Sequence, residues 1–353
     1  MSAINEERTT LPVHNLDVLR SFAVLAVLSQ HLASSTGHRS LAFARLGHAG
    51  VLMFFVHTAL VLMASLERDG APARPGWMRR FYVRRAFRIY PLAWVVIALV
   101  VLLRVPAGTF PAAYTAPSMW ATAANVALVQ NLAGANDVLV VLWTLPIELQ
   151  MYALLPLCFV VARTDRGRWM TLMIAMGVAA AALYRFGDSE PHRIHGLWRL
   201  RVLDFVPCFL MGVLAYFLLR QRRAAALPWW SWPLIIVLNL GALVQWREHW
   251  TVSIAFCAIL GIAIPCVRDA RPSAYTGVAH TIAKYSYGIY LMHLLALRAG
   301  FSLLRDWPAP VQWLVAAAVL MSSAYVGYHV VEQPAIAMGR RLARRTGQAA
   351  TPR

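Results

Sequence analysis

Long apolar runs recur along the chain, separated by short loops that carry most of the arginines, and this pattern narrows the fold more than any other feature. A helix needs about 20 mostly apolar residues to cross a bilayer core. Runs on that scale occur near residues 16–33, 48–66, 90–105, 138–162, 169–186, 203–219, 230–246, 250–267, 282–300 and 310–331. Backbone groups have no water to bond with in hydrocarbon, so runs of this length fold as helices. The expected fold is all-α, a polytopic transmembrane helix bundle of about ten spans. Composition agrees: 59% of residues are hydrophobic and 14% charged, against roughly half and a quarter in a soluble domain. The stretch 119–133 is shorter and carries Asn125, Gln130 and Asn131, which predicts an interfacial or re-entrant segment.

Loop charge orients the bundle. Basic residues favour the cytoplasmic side of a span, and the segment from Glu67 to Arg88, read as a loop, holds Arg68, Arg74, Arg79, Arg80, Arg84, Arg85 and Arg88. Alternation from there puts further clusters inside, among them Arg163, Arg166 and Arg168, then Arg220, Arg222 and Arg223, and the tail with Arg340, Arg341, Arg344 and Arg345. The loops 106–137 and 306–310 carry few basic residues, whereas 187–202 departs from the pattern with Arg193, Arg199 and Arg201. Counting 119–133 as a span would invert every later loop, so ten spans with both termini cytoplasmic is the better topology. The expected divisions are a cytoplasmic N-terminal segment over 1–15, a transmembrane unit over 16–334 and a basic cytoplasmic tail over 335–353. The first fifteen residues are polar and no small-residue cleavage site follows them, so no cleavable signal is expected.

A net charge of +18 raises the question of nucleic acid, whose usual footprint is a clustered basic face. The arginines are instead dispersed among interhelical clusters, with no nucleic-acid module beside them, so no nucleic-acid partner is expected. Cys158, Cys208, Cys257 and Cys266 all lie in apolar stretches and read as small buried hydrophobes rather than a disulfide framework or metal pair. His192 and His195 have i, i+3 spacing without a Cys or nearby carboxylate, so no metal site is predicted.

Ionisable side chains at bilayer depth are expensive and therefore candidate functional groups. The first run contains Arg20 and His31, eleven positions apart. At 100° per residue they return to nearly the same helical face, about 16 Å apart along the axis. Arg20 suits a cytoplasmic anion site or a side chain snorkelling to headgroups of membrane lipids. His31 suits a distal base or a hydrogen-bonded interfacial histidine. In FYVRRAFRIYPLAWVV, Arg85 and Arg88 are i, i+3 and Arg84 and Arg88 are i, i+4, which puts at least two guanidiniums on one face. Such forks fit a phosphate bidentately; a positive-inside anchor has the same pattern. Glu148, two residues after Pro146 in LWTLPIELQMYALLP, is either a helix N-terminal acid favoured by the dipole or a cavity carboxylate exposed by a local break. His57 and His293 lie mid-run as possible polar links between helices.

These residues resemble a known family. LDVLRSFAVLAVLSQH resembles the first-helix signature of the acyltransferase-3 family of membrane O-acyltransferases, an Arg and a His separated by ten residues, here Arg20 and His31. GVLMFFVHTALVLMASL is similar to the family's second helix, and Arg85-x-x-Arg88 with Ile89 and Pro91 to its third-helix entry. LWTLPIELQMYALLP is similar to its Trp-to-Glu-to-Tyr-Pro segment, and YSYGIYLMHLL with Glu332-Gln333-Pro334 to its closing segments. The blocks keep their order over about residues 16–334. The chain departs in having His57-Thr58 where the family often has Ser-Gly, and Val18 and Ser21 where it has Gly.

The resemblance implies an enzyme of the bacterial inner membrane that moves an acyl group, most often acetyl, from acyl-CoA to a hydroxyl of a carbohydrate or glycosylated acceptor. On that reading the phosphates of acyl-CoA meet Arg85 and Arg88, with Arg20 beside them. His31 is the general base, and Glu148 either orients His31 or binds the acceptor. No esterase-like domain is appended, so transfer would be completed by the membrane unit or a partner. The competing expectation is a transporter or flippase of a glycan or lipid-linked intermediate that uses the same polar groups as a path. The lack of an evident internal repeat weighs against it.

Overall fold

The computed structural model of the protein describes residues 11–108, 113–161, 166–189, 194, 196–221, 226–246 and 250–348. They fold as helices, in chain order α1 (Val13–Ser35), α2 (Leu41–Arg68), α3 (Trp77–Leu102), α4 (Met119–Val126), α5 (Gln130–Ala133), α6 (Thr144–Val161), α7 (Arg166–Asp188), α8 (Val202–Arg220), α9 (Ser231–Gln245), α10 (Trp250–Cys266), α11 (Ala274–Leu297), α12 (Ala309–Val326) and α13 (Gln333–Gln348). π-helical turns at Arg298–Ser302 and Gly327–Glu332 follow α11 and α12. Among the described residues the only strand-like pairing is an isolated bridge between Leu227 and Val267.

Every predicted apolar run falls on a helix. Among the described residues seven helical stretches are long and apolar enough to cross a membrane, and α9 and α10 are shorter apolar helices. α11 is long, but His280, Lys284, Ser286 and His293 interrupt its apolar character. The protein is a multi-pass integral membrane protein. The segment 119–133 is too short to span: α4 and α5 have eight and four residues. A left-handed Leu128 (φ 55°) separates them. The segment hangs on α3, where Tyr90 Oη donates to the Ala127 carbonyl and Trp94 Nε1 to that of Val126.

One expectation is corrected. The arginine run up to Arg88 is not a loop, because α2 continues to Arg68 and α3 begins at Trp77. Arginine is a good helix former, and Trp77, Phe81 and Ile89 recur at helical spacing as the buried face of α3. The cations are therefore held on a rigid element.

Packing around α1 sets the geometry of the site. α2 lies so close to it that a Cβ on Gly50 would stand 2.5 Å from the Ala23 carbonyl oxygen. Small residues permit such approach where apolar lipid gives helices no hydrophobic drive to associate. On another side α11 is tied to α1 by Ser21 Oγ, which donates to the Ala279 carbonyl (2.7 Å), and by Arg20 Nε, which donates to Ser286 Oγ (2.6 Å).

Candidate active site

A cavity of about 120 Å³ lies between α1, α2, α3, α6 and α11, and Arg20, Arg85, Arg88 and Glu148 all line it. Four of the five site residues expected from sequence thus meet, although they are drawn from three helices up to 128 positions apart. His57 lines the same cavity, so its departure from the family pattern places an imidazole beside the arginines. A wider basin of about 500 Å³ shares Arg20, Arg85 and Arg88 with the inner cavity and adds Arg84, Lys284 and Arg340, with Asp17 and His280 also on its wall. The three shared arginines therefore stand between a ligand-sized basin and a narrow interior.

Most of these charges are anchored. Arg88 pairs with the fully buried carboxylate of Glu332 and lies 5.2 Å from the centroid of the Tyr287 ring. Arg84 pairs with Asp69 through both terminal nitrogens, which occupies its guanidinium fork on the basin wall. Glu148 accepts a hydrogen bond from Tyr152 Oη, one helical turn later. Arg85 differs, since its buried Nε has no hydrogen-bond partner among the described residues. Deeper in, Tyr290 Oη donates to the Val141 carbonyl (2.9 Å) and lies 2.8 Å from Thr144 Oγ1.

His31 does not line this cavity. It sits further along α1 with its ring centroid 5.0 Å from that of His293 on α11. His293 Nδ1 faces the carbonyl oxygens of Tyr290 (2.7 Å) and Ile289 (3.2 Å). A carbonyl can only accept, so Nδ1 carries the proton and Nε2 keeps its lone pair. That Nε2 and the Nδ1 of His31 are both buried without a partner among the described residues. Glu148 is occupied by Tyr152, and no hydrogen bond joins it to His31 among the described residues. The ring contact that His31 makes is with another imidazole.

In the sequence His293 reads as a helix link and Glu332 as part of a closing motif. A usable signal was present: Ser286, Tyr290 and His293 follow i, i+4, i+7 spacing within an apolar helix, which lines one face with polar groups. The Arg88–Glu332 pair, 244 positions apart, has no local signature. His192 and His195 lie outside the described residues.

A family model described as an acyltransferase domain, of the acyltransferase-3 type, matches residues 13–329. The chain belongs to the acyltransferase-3 family. It is an acyltransferase that transfers groups other than aminoacyl groups. Relatives within the family include acyltransferase MdmB of Streptomyces mycarofaciens, 26% identical over 93% of this chain and 92% of that protein. Nodulation protein 10 of Rhizobium leguminosarum bv. viciae is 25% identical over 92% and 93%. Peptidoglycan O-acetyltransferase OatA of Listeria monocytogenes is 25% identical over 80% of this chain, which covers 49% of its length. No solved structure matches.

Proposed function

We propose that this family member is an O-acyltransferase that takes acetyl, as the first candidate acyl group, from acetyl-CoA to a hydroxyl of a carbohydrate or glycosylated acceptor. The placement of Arg20 and His31 on one uninterrupted helix carries this reading. The basin and cavity that share Arg20, Arg85 and Arg88 suit the phosphates of acyl-CoA, because guanidinium forks and phosphate oxygens form charge-assisted hydrogen bonds. Arg85, the arginine with an unpartnered donor, is the first contact. The thioester then points along α1 toward His31. Eleven residues of helix span about 16 Å, a reach that suits an extended donor rather than a compact one. The names of the relatives, an acyltransferase and a peptidoglycan O-acetyltransferase among them, support an acetyl donor and a glycan-like acceptor.

His31 acts as general base. It removes the proton of an acceptor hydroxyl as that oxygen bonds to the thioester carbonyl carbon. The C–S bond breaks, and the proton passes from the imidazolium to the CoA thiolate, leaving ester and free thiol. Glu148, held by Tyr152, balances the arginine charge in the inner cavity rather than steering His31. Ten spans with both termini cytoplasmic, in a bacterial inner membrane, put the basin where acyl-CoA is found.

The test is transfer by the purified protein in lipid nanodiscs, with isotopically labelled acetyl-CoA and a panel of glycosides, read by mass spectrometry of the acceptor. Acetylated product that depends on His31 is the expected result. Surface glycans of cells with and without the gene provide the second arm. If glycans lose no acyl group but an unmodified glycan stops crossing the membrane, the protein is a transporter and the reading fails.

A further inference from the structure

At the His31 end of α1, away from the arginine basin, a separate cleft of about 570 Å³ is lined by Ser34, Ser35, Thr36, Gln312, Trp313 and Phe301, with Arg39 and Gly37 at its rim. Ser34 and Ser35 follow His31 by three and four positions, so they lie over the same face of α1, one turn further on. Ser35 Oγ donates to the His31 carbonyl (2.8 Å), which fixes the cleft wall directly to the backbone of the proposed base.

The lining is bifunctional. Trp313 is half exposed, and the Phe301 ring meets it edge-on at 5.1 Å and 84°, which holds the indole as a rigid apolar platform. Around it stand oxygen acceptors. Thr36 Oγ1 donates to the Leu32 carbonyl (3.0 Å), and the Gln312 amide nitrogen donates to the carbonyls of Arg305 (3.2 Å) and Trp307 (2.9 Å). The donors of both groups are therefore spent, which leaves Gln312 Oε1 to accept, while Thr36 Oγ1 also lies 3.2 Å from His38 Nδ1 and has one acceptor position beyond that contact. Ser34 adds a hydroxyl to the same wall. A flat aromatic face beside hydroxyl-seeking acceptors is the complement of a pyranose ring, which has one C–H face and a rim of hydroxyl donors. The π turn at Arg298–Ser302 builds this arrangement, because a Cβ on Gly300 would stand 2.5 Å from the Gln312 carbonyl oxygen. Only a glycine there lets α12 bring Gln312 and Trp313 this close.

We propose that this cleft is the acceptor subsite, that it binds a pyranoside with the sugar face on Trp313, and that it delivers one ring hydroxyl to the His31–His293 pair. The inference rests on the acyl-transfer reading above and adds the acceptor class and its place. Donor and acceptor enter from opposite ends of α1, and the two imidazoles stand between them.

The competing role for Trp313 is an anchor in the aromatic belt at a membrane interface. Steady-state transfer from acetyl-CoA to methyl hexopyranosides, p-nitrophenyl glycosides and chitotetraose, in nanodiscs, separates the two. Trp313→Ala raises the acceptor KM by about tenfold or more, as loss of an aromatic anchor does. The donor KM is unchanged, and Trp313→Phe keeps most of the acceptor affinity. Hydrogen exchange with the same glycosides, read in peptides covering 34–39 and 309–313, gives a turnover-independent arm in which the wild type shows protection and Trp313→Ala does not. An acceptor KM within about twofold of wild type, or lowered membrane abundance as the sole effect, overturns the subsite and leaves the belt role. If the wild type transfers no acetyl to any glycoside, the acyl-transfer reading fails on its own. The cleft is then judged by exchange alone, and no protection with any member of the panel overturns it.

Discussion

At the Arg20 end of α1 most charges are held by a fixed counter-group: Arg88 by Glu332, Arg84 by Asp69, Arg20 by Ser286 and Glu148 by Tyr152, with Arg85 Nε and Glu332 Oε1 the buried atoms left over among the described residues. At the His31 end two imidazoles face each other with one nitrogen apiece left unpartnered among the described residues. The first region is built to hold cations still, since each counter-group offsets part of the cost of burying its partner and fixes the guanidinium before any ligand arrives. The second leaves buried nitrogens unsatisfied, at roughly 1–3 kcal/mol each, and a base that accepts protons needs such a free lone pair. Binding is assigned to the end held by ion pairs and chemistry to the end where the unpartnered atoms are basic nitrogens.

The contrast breaks most sharply at His31. His31→Ala should lower the transfer rate by about 10²–10⁴-fold while membrane abundance and donor KM hold. Near-normal turnover would remove His31 from the reaction. His293→Gln should fall on the same side of the comparison, lowering kcat more than either KM. A change confined to donor KM would move His293 to the binding end.

Glu332→Ala probes the ion-paired end. It strands Arg88, and losing one member of a buried pair costs about 3 kcal/mol or more, so the unfolding midpoint in detergent should drop with a smaller change in kcat. An unchanged midpoint would mean that the Arg88–Glu332 pair contributes nothing to holding the site. Arg85→Ala should be gentler on stability and raise the donor KM by about tenfold to a hundredfold, the worth of a charge-assisted hydrogen bond. Donor KM unchanged, with lowered abundance, would instead make Arg85 a topological anchor. The smallest effect belongs to Arg84→Ala. Its pair with Asp69 is partly exposed and worth about 1 kcal/mol or less, so both kinetic constants should stay close to wild type; a donor KM as high as that of Arg85→Ala would show that the two arginines share the phosphate.

Much of this was legible in the sequence for a physical reason: apolar run length reports backbone satisfaction in lipid, and it located every long helix. Arg20 and His31 were legible because both lie on one helix, where spacing alone sets direction and distance. Local pattern failed wherever the partner is remote. His31 meets His293, and Arg88 meets Glu332, only after α11 and the second π turn have packed against α1 and α3. The arginine run before Arg88 reads as a loop by charge density, yet the buried spacing of Trp77, Phe81 and Ile89 makes it helix. Neither π turn has a sequence mark that distinguishes it from α-helix.

The π turn at Gly327–Glu332 also sets how the chain tolerates changes in length. Its i→i+5 bonding takes up a surplus residue within one turn, so α12 and α13 each keep their own phase. Removing one residue from 328–330 lets the turn contract to ordinary α geometry, with Glu332 still opposite Arg88 and Gly339 still against Phe87, where a Cβ would stand 2.6 Å from the Phe87 Cβ. Removing one residue from the regular part of α12 rotates everything downstream by about 100°, which swings Glu332 off Arg88 and turns a side chain into the Phe87 contact. Two deletions a few positions apart should thus differ from a near-silent edit to loss of the arginine basin.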